Sequence, residues 1–332
     1  MELSIIIPVY EPEQDDIIRC LESIYSQNID NSLFEVICID DCSPTQSAKQ
    51  AIDSYNQNKN LPNLSYYRHK ENKRQGGARN TGIKIAKGKF IGCIDQDDFF
   101  MPGSLSAILK SINLWESLDI IMFDHSSSDN KCNVINKNFY SSNTQDVKSG
   151  NSFLLSNEIT WMPWAYVYKK EFIKEYNISF EENVRFEDVD FIMKAISLAS
   201  TIKYEPFSII SHRETSVQTS QVGNSSDKII DLVKIALRVG EIAKLEFQKN
   251  NNAAEIIIKH HDLMYLSAIK RNIWRLSCRS IFTTINNYPP MYEYSSNQKI
   301  KFIGIHPKLT SAFLCCIKPL LKTSYRIYKK FK

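Results

Sequence analysis

Phe90 to Phe100 reads FIGCIDQDDFF: a short apolar run, then three carboxylates within four positions (Asp95, Asp97 and Asp98), then two aromatics. An apolar run of this length bounded by polar residues has the pattern of a buried strand, which puts the carboxylates at its end. Like charges crowded into a desolvated place repel each other and resist ionising unless something positive sits there with them. A solvated loop would carry them cheaply; a buried strand end would not.

Outward from this stretch, apolar runs alternate with helical patterns. Ser4 to Val9 predicts a first strand, and Ile17, Ile18, Leu21, Ile24 and Tyr25 follow at helical spacing. Phe34 to Ile39 predicts a second strand, a polar helix is expected from about Thr45 to Asn58, and Leu64 to Tyr67 predicts a third strand. A helix beginning near Gly76 or Gly77 leads into the strand Lys89 to Ile94. Pro102 marks a helix start, with Leu105, Ile108, Leu109, Ile112 and Trp115 on one face, before a strand over Asp119 to Phe123. This alternation predicts an open, mostly parallel sheet with helices on both faces.

Ligands of such sheets bind beyond the carboxyl ends of the strands. Three of these ends are polar here: Pro8-Val9-Tyr10-Glu11, Asp40-Asp41, and Asp95-Gln96-Asp97-Asp98. No GxGxxG or Walker A sequence accompanies them, so a dinucleotide site or P-loop is not supported. A carboxylate-rich rim that binds an anionic nucleotide needs a divalent cation between the two, and hard oxygen ligands favour Mg or Mn.

IIIPVYE (5–11), VICIDDCSP (36–44), GGARNTGIKIAKGKFIGCIDQDD (76–98) and RFEDVDF (185–191), in this order, resemble the glycosyltransferase family 2 pattern over about residues 1–215. The resemblance implies a GT-A fold: an α/β protein with a mostly parallel, Rossmann-like sheet flanked by helices, here with a C-terminal helical extension. It further implies transfer of a sugar, with inversion, from a nucleotide-diphosphate sugar, UDP by default, to a hydroxyl of a glycan or lipid-linked glycan. By position, Pro8, Tyr10 and Glu11 would line the base and ribose, and Asp41, with Asp40 beside it, would meet the nucleobase. A turn and helix N-cap would account for Asp40-Asp41 alone. Where the family usually has Gly-Ser, this chain has Cys42-Ser43, which costs stability if the turn demands positive φ. Arg79, with Asn80, matches a donor-contacting pair. Asp98 is expected on the metal, Asp97 on donor sugar or ribose, and Asp95 as a further metal ligand or beside one. Asp188 is the expected general base, Glu187 an acceptor contact, and Asp190 a surface residue. One of Trp161 and Trp164, taken as Trp164, would stack on the acceptor; His212 would be a metal ligand and Arg213 a diphosphate clamp. A lone His or a first-turn carboxylate is also ordinary in a structural role.

The chain of 332 residues is 43% hydrophobic, enough for a sizeable core. The expected organisation is a catalytic domain over 1–215, with a nucleotide-binding half to about 125 and an acceptor half from about 126. A lid, linker and helical extension over 216–298 and a basic amphipathic tail over 299–332 follow. Eight cysteines without CxxC or zinc spacing fit a reducing cytoplasm. MELSIIIPVYE reads as a strand and not as a signal peptide. Residues 299–332 hold nine Lys/Arg and no Asp/Glu, leaving 32 basic against 37 acidic side chains in the rest. That tail predicts contact with an anionic bilayer and a peripheral place at the inner face of the plasma membrane. No RNA motif or zinc finger suggests nucleic acid. Two other readings stand beside the transferase: a sugar-phosphate nucleotidyltransferase, which would want a Gly-rich basic N-terminal loop, and a non-catalytic family member in a glycan assembly complex.

Overall fold

The computed structural model describes residues 1–138, 146–156, 159–214, 225–249, 252–272 and 277–316. The chain divides into two units, Met1–Gln218 and Thr219–Lys332.

In the first unit, the β-branched run Leu3–Val9 (β1) is buried along its whole length, as is Phe34–Asp40 (β2). The helix Gln14–Tyr25 (α1) joins them, burying Ile17, Cys20, Leu21 and Ile24. Ser47–Lys59 (α2), Leu64–Arg68 (β3), Arg74–Ile85 (α3) and Phe90–Cys93 (β4) continue the alternation. Next come Phe99–Phe100 (β5), Ser104–Leu114 (α4), Ile120–Ser128 (β6), Val134–Asn138 (β7) and Gly150–Ser156 (α5). Tyr166–Lys169 (β8), Lys170–Glu175 (α6), Glu187–Leu198 (α7) and Ile202–Arg213 (β9) complete the unit.

Among the described residues the strands form one sheet in the order β3-β2-β1-β4-β8-β6-β9-β5, with β7 on β6. β3, β2, β1 and β4 are mutually parallel, as the alternation predicts. β8 then enters antiparallel between β4 and β6, while β6 and β9 run parallel to each other. Two antiparallel steps restore the direction, so the carboxyl ends of β6 and β9 lie on the same rim as those of β1 to β4. The sequence pattern ends β6 at Phe123. The strand in fact runs on through Asp124, His125 and three serines, all buried and paired with β9, and from His125 on with β7 as well. Gly82 lets α3 lie on the sheet, since a Cβ there would stand 2.5 Å from Ile6 Cγ2.

The second unit contains Ser225–Gln248 (α8), Ala253–Asn272 (α9), Cys278–Asn287 (α10), Gln298–Ile305 (α11) and the helical residues 307–316. Ile229, Val233, Ala236, Tyr265, Ala268, Ile281, Ile285, Ile300 and Ile303 form its core. α10 starts where Ser277 Oγ accepts the Ser280 backbone N–H at 3.0 Å. Of the lid, linker and extension expected over 216–298, residues 216–224 lie outside the described residues, as do 317–332 of the tail. No helix among the described residues is long and apolar enough to cross a membrane.

Candidate active site

The crevice begins where β1 outlasts β4. The Ile6 carbonyl accepts from Ile94 N–H at 3.0 Å, and residues two apart on a strand face the same side. Pro8, with no N–H to give, therefore faces the side on which β4 has already ended. The Gln96 side chain closes the gap: its Oε1 accepts the Tyr10 N–H at 2.8 Å, and its Nε2 donates to the Tyr10 carbonyl at 3.0 Å. Tyr10 and Glu11 are left exposed at the rim.

At the end of β2, Asp40 is fully buried and spent on the turn, accepting from Ser43 N–H at 2.7 Å and from the Tyr66 hydroxyl. Asp41 accepts the Lys73 N–H at 2.8 Å and lies 2.8 Å from His69 Nδ1, whose other nitrogen lies 2.8 Å from Thr81 Oγ1. His69 was not singled out in the sequence, yet it directly follows β3 and so occupies a polar strand end like the others. Cys42 sits at φ 64, so the turn does demand the left-handed region. Replacing Cys42 by glycine is expected to raise stability by about 0.5–1 kcal/mol, the relief of strain exceeding the entropy glycine adds to the unfolded chain. Chemical unfolding measures it, and a loss of stability would contradict the strain. Glu11, Arg74 and Phe186 are further non-glycine residues at positive φ on segments of this rim.

Arg79 is the centre of the other side. Its side chain is 1% exposed, one guanidinium nitrogen lies 2.8 Å from Asp95, and another lies 2.6 Å from Asp188 and 3.2 Å from Glu187. It was expected to touch the donor; instead it is wrapped by three carboxylates from two distant segments. Burial works against its charge, but Asp188, Asp95 and Glu187 outweigh burial and raise its pKa. Asp95, expected at the metal, is thus held by Arg79. Glu187, expected at the acceptor, is buried, and Asp190, expected at the surface, is buried too. Asp188 keeps 26% of its side chain exposed. Gly76 makes this contact attainable, because a Cβ there would lie 2.5 Å from the Glu181 carbonyl and 3.1 Å from Glu187 Cγ. Asn80 pins the same loop, accepting the Phe180 N–H and donating to the Phe180 carbonyl, each at 2.9 Å.

Burial raises Asp188 to about 6, with Arg79 opposing, and raises Glu187 to about 8, with Asp188 adding to it. Asp97 rises to about 6, chiefly through burial and then through Asp98 and Asp95.

Asp98 is buried beside the end of β9, its Oδ1 accepting the Arg213 N–H at 2.9 Å and standing 3.1 Å from His212 Nδ1. His212 and Arg213 are the last two residues of β9. The hydrogen bond to Asp98 raises His212 to about 9 against burial. Arg213 reaches across to Asp16 on α1, a partner that nothing in the sequence indicated. Trp164, expected against an acceptor sugar, is buried between two histidines, its ring centroid 6.2 Å from that of His212 and 4.9 Å from that of His125. Trp161 is the more exposed of the pair.

Between pH 6.5 and 8 both Glu187 and His212 hold protons when folded that the unfolded chain, with their ordinary values of 4.5 and 6.5, has released. The native state then binds more protons, so stability falls as pH rises. The melting temperature of metal-free protein is expected to decline across this window, and Glu187→Gln to flatten the decline; a flat or rising wild-type profile would contradict it.

Among the described residues no group of three or more His, Cys, Asp or Glu is arranged to hold a metal. Asp98 and His212 nevertheless supply an adjacent oxygen and nitrogen donor in a place where burial disfavours the bare carboxylate. Two protein donors suit Mg or Mn, which commonly takes its remaining ligands from substrate phosphates and water.

Sheet order, carboxylate rim and the acidic first turn of α7 define a glycosyltransferase of the GT-A fold. Comparison with known proteins gives the same class: the chain belongs to glycosyl transferase family 2, whose model matches residues 4–175. It is 28% identical over 227 residues to the uncharacterized glycosyltransferase EpsJ of Bacillus subtilis, covering 64% of this chain and 61% of that protein. Over 265 residues it is 25% identical to the poly(ribitol-phosphate) beta-N-acetylglucosaminyltransferase TarS of Staphylococcus aureus, covering 78% of this chain and 44% of TarS. In fold it is similar to the crystal structure of TarS 1-349 in complex with UDP-GlcNAc, with a TM-score of 0.69 at 19% identity over 98% of this chain and 92% of that one. A mannosyltransferase from Pyrobaculum calidifontis in complex with GDP-Man and Mn2+ is similar at TM-score 0.52 and 13% identity, over 96% and 87%. Family membership sets aside the nucleotidyltransferase reading.

Proposed function

We propose that the chain is an inverting transferase that moves a sugar from a UDP-sugar to a hydroxyl of a glycan or lipid-linked glycan in building a cell-surface polysaccharide. The observation that carries this reading is the part-exposed Asp188 carboxylate, oriented by a buried arginine that also grips Asp95 beside the donor rim. Asp188 takes the proton of the acceptor hydroxyl as that oxygen bonds to the anomeric carbon. The bond from this carbon to the diphosphate breaks on the opposite face, and its electron pair leaves with the nucleoside diphosphate. One carboxylate suffices, because a diphosphate needs no proton to depart, unlike the leaving group in two-carboxylate hydrolysis.

Pro8, Tyr10, Glu11 and Asp41 are assigned to the nucleoside, and Asp97 to ribose or donor sugar. Asp40 shapes the turn that presents Asp41, while Glu187 and Arg79 position Asp188. Trp161 takes the acceptor role expected of Trp164. Arg213 serves the diphosphate once released from Asp16. Asp98 and His212 are the residues that would hold Mg or Mn, which when bound neutralises the departing diphosphate. UDP as carrier is supported by the UDP-GlcNAc named in the TarS structure, and a divalent ion by the Mn2+ of the mannosyltransferase structure. Acceptors of the cell-surface class are supported by the poly(ribitol-phosphate) in the name of TarS.

Titration calorimetry with UDP, GDP and dTDP, with and without Mn, tests the reading. UDP is expected to bind in a metal-dependent way, and Asp98→Ala to weaken it at least about tenfold. Preference for GDP or dTDP would overturn the donor assignment, and no nucleotide binding by folded protein would overturn the site.

A further inference from the structure

The last two helical segments among the described residues of the second unit are apolar on both faces. Inward, Ile300 and Ile303 sit in the core, Leu314 and Cys315 pack against it, and Ser311 Oγ lies 3.2 Å from Asn286 Nδ2 of α10. Outward, Phe302, Ile305, Leu309 and Phe313 are 48–59% exposed and recur every three or four residues. Four large apolar side chains in a row on the solvent side are more than the scattered exposure normal for a surface. Lys299, Lys301 and Lys308 share these segments, and from Tyr294 to the end of the chain there is no acidic residue.

We propose that this outward face, Phe302, Ile305, Leu309 and Phe313 with their neighbouring lysines, docks on an anionic lipid surface. The charge decides the occupant. A second copy of the same face would bring lysines against lysines, and a nucleic acid would have no use for the apolar row. An anionic bilayer accepts both, with the aromatic and aliphatic side chains entering between headgroups and the ammonium groups meeting lipid phosphates. The inference rests on surface residues of the second unit and does not depend on the donor or acceptor assigned above.

The test is sedimentation of the full chain with vesicles of phosphatidylcholine alone or mixed with phosphatidylglycerol. Binding to the mixed vesicles is expected to exceed binding to the neutral ones at least about tenfold and to weaken with salt. Phe302→Ser with Phe313→Ser is expected to lower it at least about tenfold at an unchanged melting temperature. Lys299→Gln with Lys308→Gln, which leaves the apolar row in place, is expected to lower binding to anionic vesicles only. Equal binding to both vesicle types, or wild-type binding by the phenylalanine variant, would overturn the proposal. So would a wild-type dimer in sedimentation velocity that dissolves in the phenylalanine variant, since that makes a second copy the occupant.

Discussion

Replacing Arg79 by methionine is expected to lower the free energy of unfolding by about 3–5 kcal/mol at neutral pH, the cost of leaving a buried ionic cluster without its cation. The sign of the pH dependence identifies the cause. Without the guanidinium, the folded pKa values of Glu187 and Asp188 move further above their unfolded values. A raised carboxylate costs stability above its unfolded pKa, and that cost vanishes as pH falls below it. The deficit should therefore shrink steadily toward pH 4, where a mere packing defect would leave it constant. Arg79→Lys keeps the charge but loses the planar fork that reaches Asp95 and Asp188 at once, and should recover only part of the loss. Urea unfolding at several pH values measures all three quantities. A neutral-pH loss below about 1 kcal/mol would remove the cluster from the account of this site.

Asp188→Asn is expected to cut kcat by about 10²–10⁴ while leaving nucleotide binding and stability close to wild type. The amide oxygen can still accept from Arg79, 2.6 Å away, so the loop stays in place and only the capacity to take a proton is lost. Because burial raises Asp188 to about 6, wild-type activity should fall as pH drops through that value, well above the range of an ordinary carboxylate. The residual activity of the variant should lack this limb. Retention of more than about a tenth of kcat would remove Asp188 as the base.

The parallel half of the sheet was legible because β1, β2 and β4 are largely buried and so read as near-continuous apolar runs, interrupted by Ser4 and Glu35. The rim followed from the rule that places ligands at strand ends, and that rule, applied to β3, would also have flagged His69. β8 was not legible: four residues following a tryptophan-rich turn carry too little pattern. Nor was the far half of β6, where buried aspartate, histidine and serines mimic a loop until β9 and β7 supply their backbone partners. The partners of Arg79 were not legible for a different reason. A family motif says that an arginine is needed there, but not that its partners lie 108 and 109 residues further along the chain.

The antiparallel entry of β8 bears on how the protein is made. β4 pairs with β1 early, but its other edge, Phe90 to Gly92, meets Lys169 to Val167, which leave the ribosome about 80 residues later. At ordinary rates of synthesis that is an interval on the order of ten seconds during which an apolar strand edge has no partner. A nascent chain stalled before Tyr166 would present that edge to chaperones or to neighbouring chains on the same message, and synthesis of the short segment 166–169 would close it.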